Sequence, residues 1–192
     1  MPTFQKCPAS VASLATDILH QFEMHRPLIA AGVTIDYVFA RADLNEGGQP
    51  VGNALTHNGC KALGVTRKIP LKDRALGRSD AEIALDGDWW REATEEQRAA
   101  LLDHERHHLA PKVRDGAFLR DDLGRPQLQL RKHDYEFGWF RVVAARHAEH
   151  SMERQQAAQI MEDAGQYFWP EIADEKTITL ETACGREISR RQ

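Results

Sequence analysis

No run of apolar residues in this sequence approaches the roughly eighteen that a membrane span needs. Met1 to Pro8 also lacks the basic flank and apolar core of a secretory signal, so a cytoplasmic protein is expected. Cysteine is scarce: Cys7, Cys60 and Cys184 are odd in number and far apart, which suggests neither a disulfide framework nor a CxxC metal knuckle and leaves them as ordinary thiols. Positive charge is not in excess either. The 25 Lys and Arg set against 29 Asp and Glu give a formal net charge of -4, without the clustered basic surface that nucleic acid or an anionic membrane demands. Internal repeats, low-complexity tracts and linker-like stretches are absent as well, so the chain reads as one domain over residues 1–173 followed by a charged tail at 174–192.

The 192 residues, 42% hydrophobic and 28% charged, suffice to close a single core without staples. Val11, Leu14, Ala15, Ile18, Leu19 and Phe22 recur at helical spacing and predict an amphipathic helix from Pro8 to Phe22, ending before Pro27. Strands are expected at Val33 to Ala40, Leu63 to Leu71 and Ala81 to Leu85, with Asp86-Gly87-Asp88 breaking the last. Thr94 and Gln97 form a capping-box signature ahead of a helical run to Ala110, where Pro111 stops it. Phe118-Leu119 and Leu128 to Leu130 flank the turn-rich segment Asp121 to Pro126, which predicts a hairpin or flap. Two more helices are expected at Tyr135 to His150 and Met152 to Tyr167, with a strand-like stretch at Thr177 to Leu180 beyond them.

The chemistry concentrates in His104-Glu105-Arg106-His107-His108, an H-E-x-x-H pattern inside the capped helix. A helical turn takes about 3.6 residues, so His104 and His108 stack on one face and can aim both imidazoles at one ion, with Glu105 beside them. Zinc suits such a site: an open position keeps a water whose pKa the ion lowers, and a neighbouring carboxylate can take its proton and return it to a leaving amine. Leu101, Leu102 and Leu109 border the ligand stripe and should bury it, while Asp103 and Arg106 fall on the far side, where solvent would suit them. His107 points away from the pair.

A catalytic zinc normally takes three protein ligands, and the chain after His108, Leu109-Ala110-Pro111-Lys112, does not supply the third. The candidates are His133, Asp134 and Glu136, placed where the start of a helix could return the chain to the metal; His147 and His150 lie amid charged residues, a pattern of solvated faces.

Several stretches together resemble the putative phage metallopeptidase family of phages and prophages. They are Tyr37-Val38-Phe39, Ala62-Leu63-Gly64 with Arg67-Lys68, Glu82 to Leu85 with Trp89 or Trp90, Leu101 to Glu105 with His108, and His133-Asp134 with Glu136-Phe137 and Val142-Val143. The likeness runs from about Leu14 to His150, leaving the following helix as an extra element that could be a partner-binding extension. It implies an α+β, compact zincin-like domain with a small, mostly antiparallel sheet, an active-site helix and C-terminal helices. It also implies a peptide or protein substrate, Zn2+ held by His104, His108 and His133, Glu105 as general base, and the strand Ala81 to Leu85 aligning an extended peptide at its edge. Two other readings compete. A peptide-deformylase-like amidase would recruit Cys60 from Asn58-Gly59-Cys60, although the flanking residues do not resemble that family's cysteine loop. A catalytically silent phage or host interaction protein would keep a structural metal and bind through Trp89, Trp90, Trp139 and Trp169.

Overall fold

The computed structural model describes residues 1–57, 59–133, 139–163, 179–181 and 187–189. Its architecture is α+β. A four-stranded sheet is built from β1 (Thr3–Lys6), β2 (Ile35–Arg41), β3 (Gly64–Lys68) and β4 (Ala81–Asp86), in the order β1-β2-β4-β3. The outer pairings, β1 with β2 and β4 with β3, are antiparallel, whereas β2 and β4 run parallel in the centre. β4 is therefore an interior strand with both ladders filled, which overturns the expectation that its edge could receive a peptide; the outer strand on that side is β3.

Alternation along the two central strands divides the core. Tyr37, Phe39, Ile83 and Leu85 point one way and meet Val11, Ala15 and Ile18 of α1 (Ala9–Gln21) together with Leu101 and Leu102 of α5 (Glu95–His107). Ala40 and Ala84 point the other way, onto Ala42, Ala54 and Leu55. Because both faces of β4 are covered, all six of its residues are buried, which compensates for the weak strand propensity of Ala and Glu.

Local chemistry sets the remaining boundaries. Pro27 does not merely end the first helical stretch; it occupies the first turn of α2 (Arg26–Ala31), where its missing N–H costs nothing, and Gly32 caps that helix with φ 72°. The expected strand to Leu71 stops at Lys68, and Leu71 begins α3 (Leu71–Ala75). Asp86 ends β4 by accepting from the backbone N–H of Asp88 and Trp89, which starts α4 (Gly87–Glu92). Thr94 and Gln97 make the reciprocal capping box that opens α5. That helix ends at His107 rather than Ala110, because Leu109–Pro111 (β5) pairs antiparallel with Leu128–Leu130 (β6) and Leu109 buries against Leu28, Ala81 and Leu128.

Between β5 and β6 the chain forms the expected flap. A bridge between Arg120 and Pro126 closes a turn whose Asp121 carboxylate accepts from the N–H groups of Leu123 and Arg125. The predicted helix from Tyr135 is shorter, running as α6 (Arg141–His147) with a 3-10 turn after it, and Tyr135 to Gly138 lie outside the described residues. α7 (Met152–Asp163) follows; the stretch expected to carry it on to Tyr167 is outside the described residues. Of the expected tail at 174–192, Thr179–Glu181 and Glu187–Ser189 are described and pair antiparallel. Among the described residues no helix is long and apolar enough to cross a membrane.

Candidate metal centre

The last turn of α5 and the strand that pairs beyond it bring three histidines together. His104 and His108 lie one turn apart, His108 being the C-cap residue, and their ring centroids are 5.2 Å apart. His133 arrives by the β5–β6 ladder rather than by the start of a helix. Past Leu130 the pairing continues as the Arg131 N–H donates to the His108 carbonyl at 2.7 Å while His108 Nδ1 donates to the Arg131 carbonyl at 2.9 Å. Two residues later His133 sits over the helix end, its ring centroid 4.5 Å from that of His108 and 5.2 Å from that of His104.

The outer ring nitrogens fix which inner nitrogens are free. His104 Nδ1 lies 2.7 Å from a Glu153 carboxylate oxygen, and His108 Nδ1 faces a carbonyl; both partners only accept, so each Nδ1 carries a proton and in the neutral ring each Nε2 presents the lone pair. His104 Nε2 and His133 Nε2 are 3.3 Å apart. Two nitrogens on a tetrahedral zinc with bonds of 2.0 to 2.1 Å are separated by about 3.3 to 3.4 Å, so this spacing fits that ion. One donor atom from each of the three histidines lies within 4.8 Å of the others, a group able to hold a metal ion.

The surroundings favour neutral ligands at two positions. Burial, reinforced by the charges of His108 and His104, depresses the pKa of His133 to about 4. Burial likewise lowers His108, against the opposing pull of Glu105. For His104 burial works in the same sense, but the hydrogen bond it donates to Glu153 and the nearby carboxylates outweigh it and raise its pKa. Phe140, itself 1% exposed, walls the site: its ring centroid is 4.8 to 4.9 Å from those of His104, His108 and His133.

Glu105 is 3% exposed and packs against β3. The Thr66 hydroxyl lies 2.7 Å from Glu105 Oε2 and 2.8 Å from the Glu105 carbonyl, so its single proton is offered to one or the other. Gly64 makes room for the side chain: a Cβ there would fall 2.4 Å from Glu105 Oε1.

The far side of α5 is not solvated, contrary to expectation. Asp103 is completely buried, its carboxylate 2.6 Å from His25 Nε2 and 2.9 Å from His147 Nε2, with Arg146 bonded to both oxygens. Arg106 is 2% exposed and donates to the Tyr37 hydroxyl at 2.9 Å and to the Ala15 carbonyl. Charged side chains are tolerated here because each has a partner. His147 thus serves Asp103, and His150 faces Glu149 at the surface. His107 is buried beside Phe140, outside the triad, and burial pulls its pKa down to about 4.

Other sequence candidates fare differently. Asp134 and Glu136 lie outside the described residues, as does Trp169. Cys60 is disulfide-bonded, against the reading of three ordinary thiols, and is not in the converging group. Trp90 is a core residue on Phe39, Trp89 is partly buried against the same core, and Trp139 donates to Gln156 at 2.7 Å. Sequence reasoning missed Thr66 and Glu153, whose partners lie 39 and 49 residues away and leave no local spacing to read.

A family model described as putative phage metallopeptidase matches residues 3–165. The match takes in β1 and α7, so the helix after His150 is part of the shared domain and not an addition to it. No curated protein and no solved structure matches the chain significantly.

Proposed function

The chain belongs to the putative phage metallopeptidase family, and on that premise we propose that it is a zinc-dependent peptidase of zincin-like design, with His104, His108 and His133 as the ligands and Glu105 as the general base. The observation that carries this reading is the convergence of three histidines, two of them with Nδ1 engaged elsewhere so that Nε2 is left to coordinate. A zinc ion held there would supply a water of lowered pKa and polarise the scissile carbonyl.

The chain's own residues do the rest. Glu105 accepts the proton of the attacking water at its carboxylate and later delivers it to the departing amine, so the base of one step is the acid of the next. Thr66 and the open space at Gly64 hold that carboxylate against β3, which leaves little rotamer freedom to be lost in the transition state. Phe140 excludes water from behind the ligands. The substrate is a peptide or protein segment, and β3, the outer strand of the sheet and the one touching Glu105, is the edge along which an extended chain would pair.

The test uses purified protein, metal analysis and a peptide library with and without a chelator. Zinc in about equimolar amount and chelator-sensitive cleavage are expected. Glu105→Gln should keep the zinc and lose about 10²- to 10⁴-fold in cleavage rate. A Glu105→Gln protein that cleaves at the parent rate would overturn the general-base assignment.

A further inference from the structure

Among the described residues, Glu153 is the one acidic group bonded to a residue of the histidine triad from outside α5, and it comes from the helix that sequence reasoning set apart. It stands in the first turn of α7, where the helix N-terminus favours a negative charge. Ser151, wholly buried, anchors that turn: its hydroxyl accepts from the Arg154 N–H at 3.2 Å and its carbonyl from the Gln155 N–H at 3.1 Å. Glu153 is itself 2% exposed. One of its oxygens takes the His104 Nδ1 proton at 2.7 Å and faces the Phe140 N–H at 3.4 Å, while the other is buried without a hydrogen-bond partner among the described residues. A carboxylate in so little water is retained at a cost, and the contact it makes is the one that turns His104 Nε2 toward His108 and His133.

We infer, building on the metal-site reading above, that Glu153 is the positioning residue of His104 and that through it metal occupancy and the docking of α7 are thermodynamically linked. The carboxylate holds the imidazole in the Nδ1–H tautomer and raises the basicity of Nε2, which strengthens coordination. Linkage requires the converse: an ion that binds only the correctly turned ring also favours the conformation in which α7 is packed down. C-terminal sequence thereby controls a site whose ligands all lie before residue 134.

Zinc affinity by competition with a chromophoric chelator, together with amide exchange across α7 with and without zinc, tests the inference. Glu153→Gln is expected to weaken zinc binding about 10-fold and Glu153→Ala about 100-fold. Gln156→Ala, which cuts a different tie of the same helix, should leave affinity within about twofold, separating orientation of His104 from general loosening of α7. Zinc should slow exchange across 152–163 in the parent and fail to do so in Glu153→Ala. If Glu153→Ala does not fold, the near-isosteric Glu153→Gln and the parent exchange data carry the test. Zinc uptake by the parent is read first: none at all overturns the metal-site reading and this inference with it. Normal uptake with unchanged affinity in Glu153→Gln, or parent exchange in α7 indifferent to zinc, overturns this inference alone.

Discussion

Two histidine clusters flank α5, and they are built on opposite principles. On one side His25, His147 and Arg146 surround the Asp103 carboxylate, so positive or donating groups converge on a negative centre and every one is satisfied. On the other, His104, His108 and His133 turn nitrogens toward one another with no carboxylate of the described residues between them. Burial, residue type and helix are shared. The difference is what occupies the middle, and it teaches that a buried histidine cluster is structural when an anion fills its centre and ligand-ready when lone pairs face a gap.

Metal affinity gives the widest separation between the two clusters. His108→Ala should reduce zinc affinity by roughly a thousandfold, since one of the three proposed ligands is lost, whereas His25→Ala should change it by no more than about threefold; comparable losses in the two variants would erase the distinction. Stability should divide them in reverse. Asp103→Ala strands His25, His147 and Arg146 around an uncompensated cavity and is expected to cost about 3 to 5 kcal/mol in urea unfolding, while His133→Ala in metal-free protein should cost no more than about 1 kcal/mol.

A further effect is a pH slope in the metal-free protein. His107 and His133 have folded pKa values pulled down to about 4, so between there and the ordinary histidine value the unfolded chain binds protons that the native state refuses. Stability is then fully present above pH ~6.5 and declines as pH falls toward about 4. Urea midpoints measured across that window should drop on acidification, and the drop should shrink in His107→Gln. A midpoint drop of the same size in His107→Gln would mean that the fold does not hold that ring neutral.

Much of this arrangement is legible in the chain itself. The spacing of Val11, Ala15 and Ile18 marks α1, and Thr94 with Gln97 marks the start of α5, because both signals act within a turn or two of helix. The H-E-x-x-H pattern identifies two of the converging histidines for the same reason. β1 is harder to see, since all four of its residues are exposed and carry no alternation. Asp103 and Arg106 read as solvent-facing because charge alone does not reveal a partner arriving from another element, and Glu153 and Thr66 act across separations that no periodicity encodes. His133 was nameable by resemblance, but its route to the site depends on strand pairing rather than on a helix start.

That route sorts insertions and deletions by position. Because Leu130 is in register with Leu109 and the pairing runs on through Arg131 and His108, one residue gained or lost between 128 and 132 would displace His133 by about 3.3 Å and present it on the opposite face of the ribbon. Beyond the Arg120–Pro126 bridge the tip can lengthen for only about 0.6 kcal/mol per doubling of the loop. The flap is thus a place where evolution can vary reach and shape while the placement of His133 stays pinned at its base.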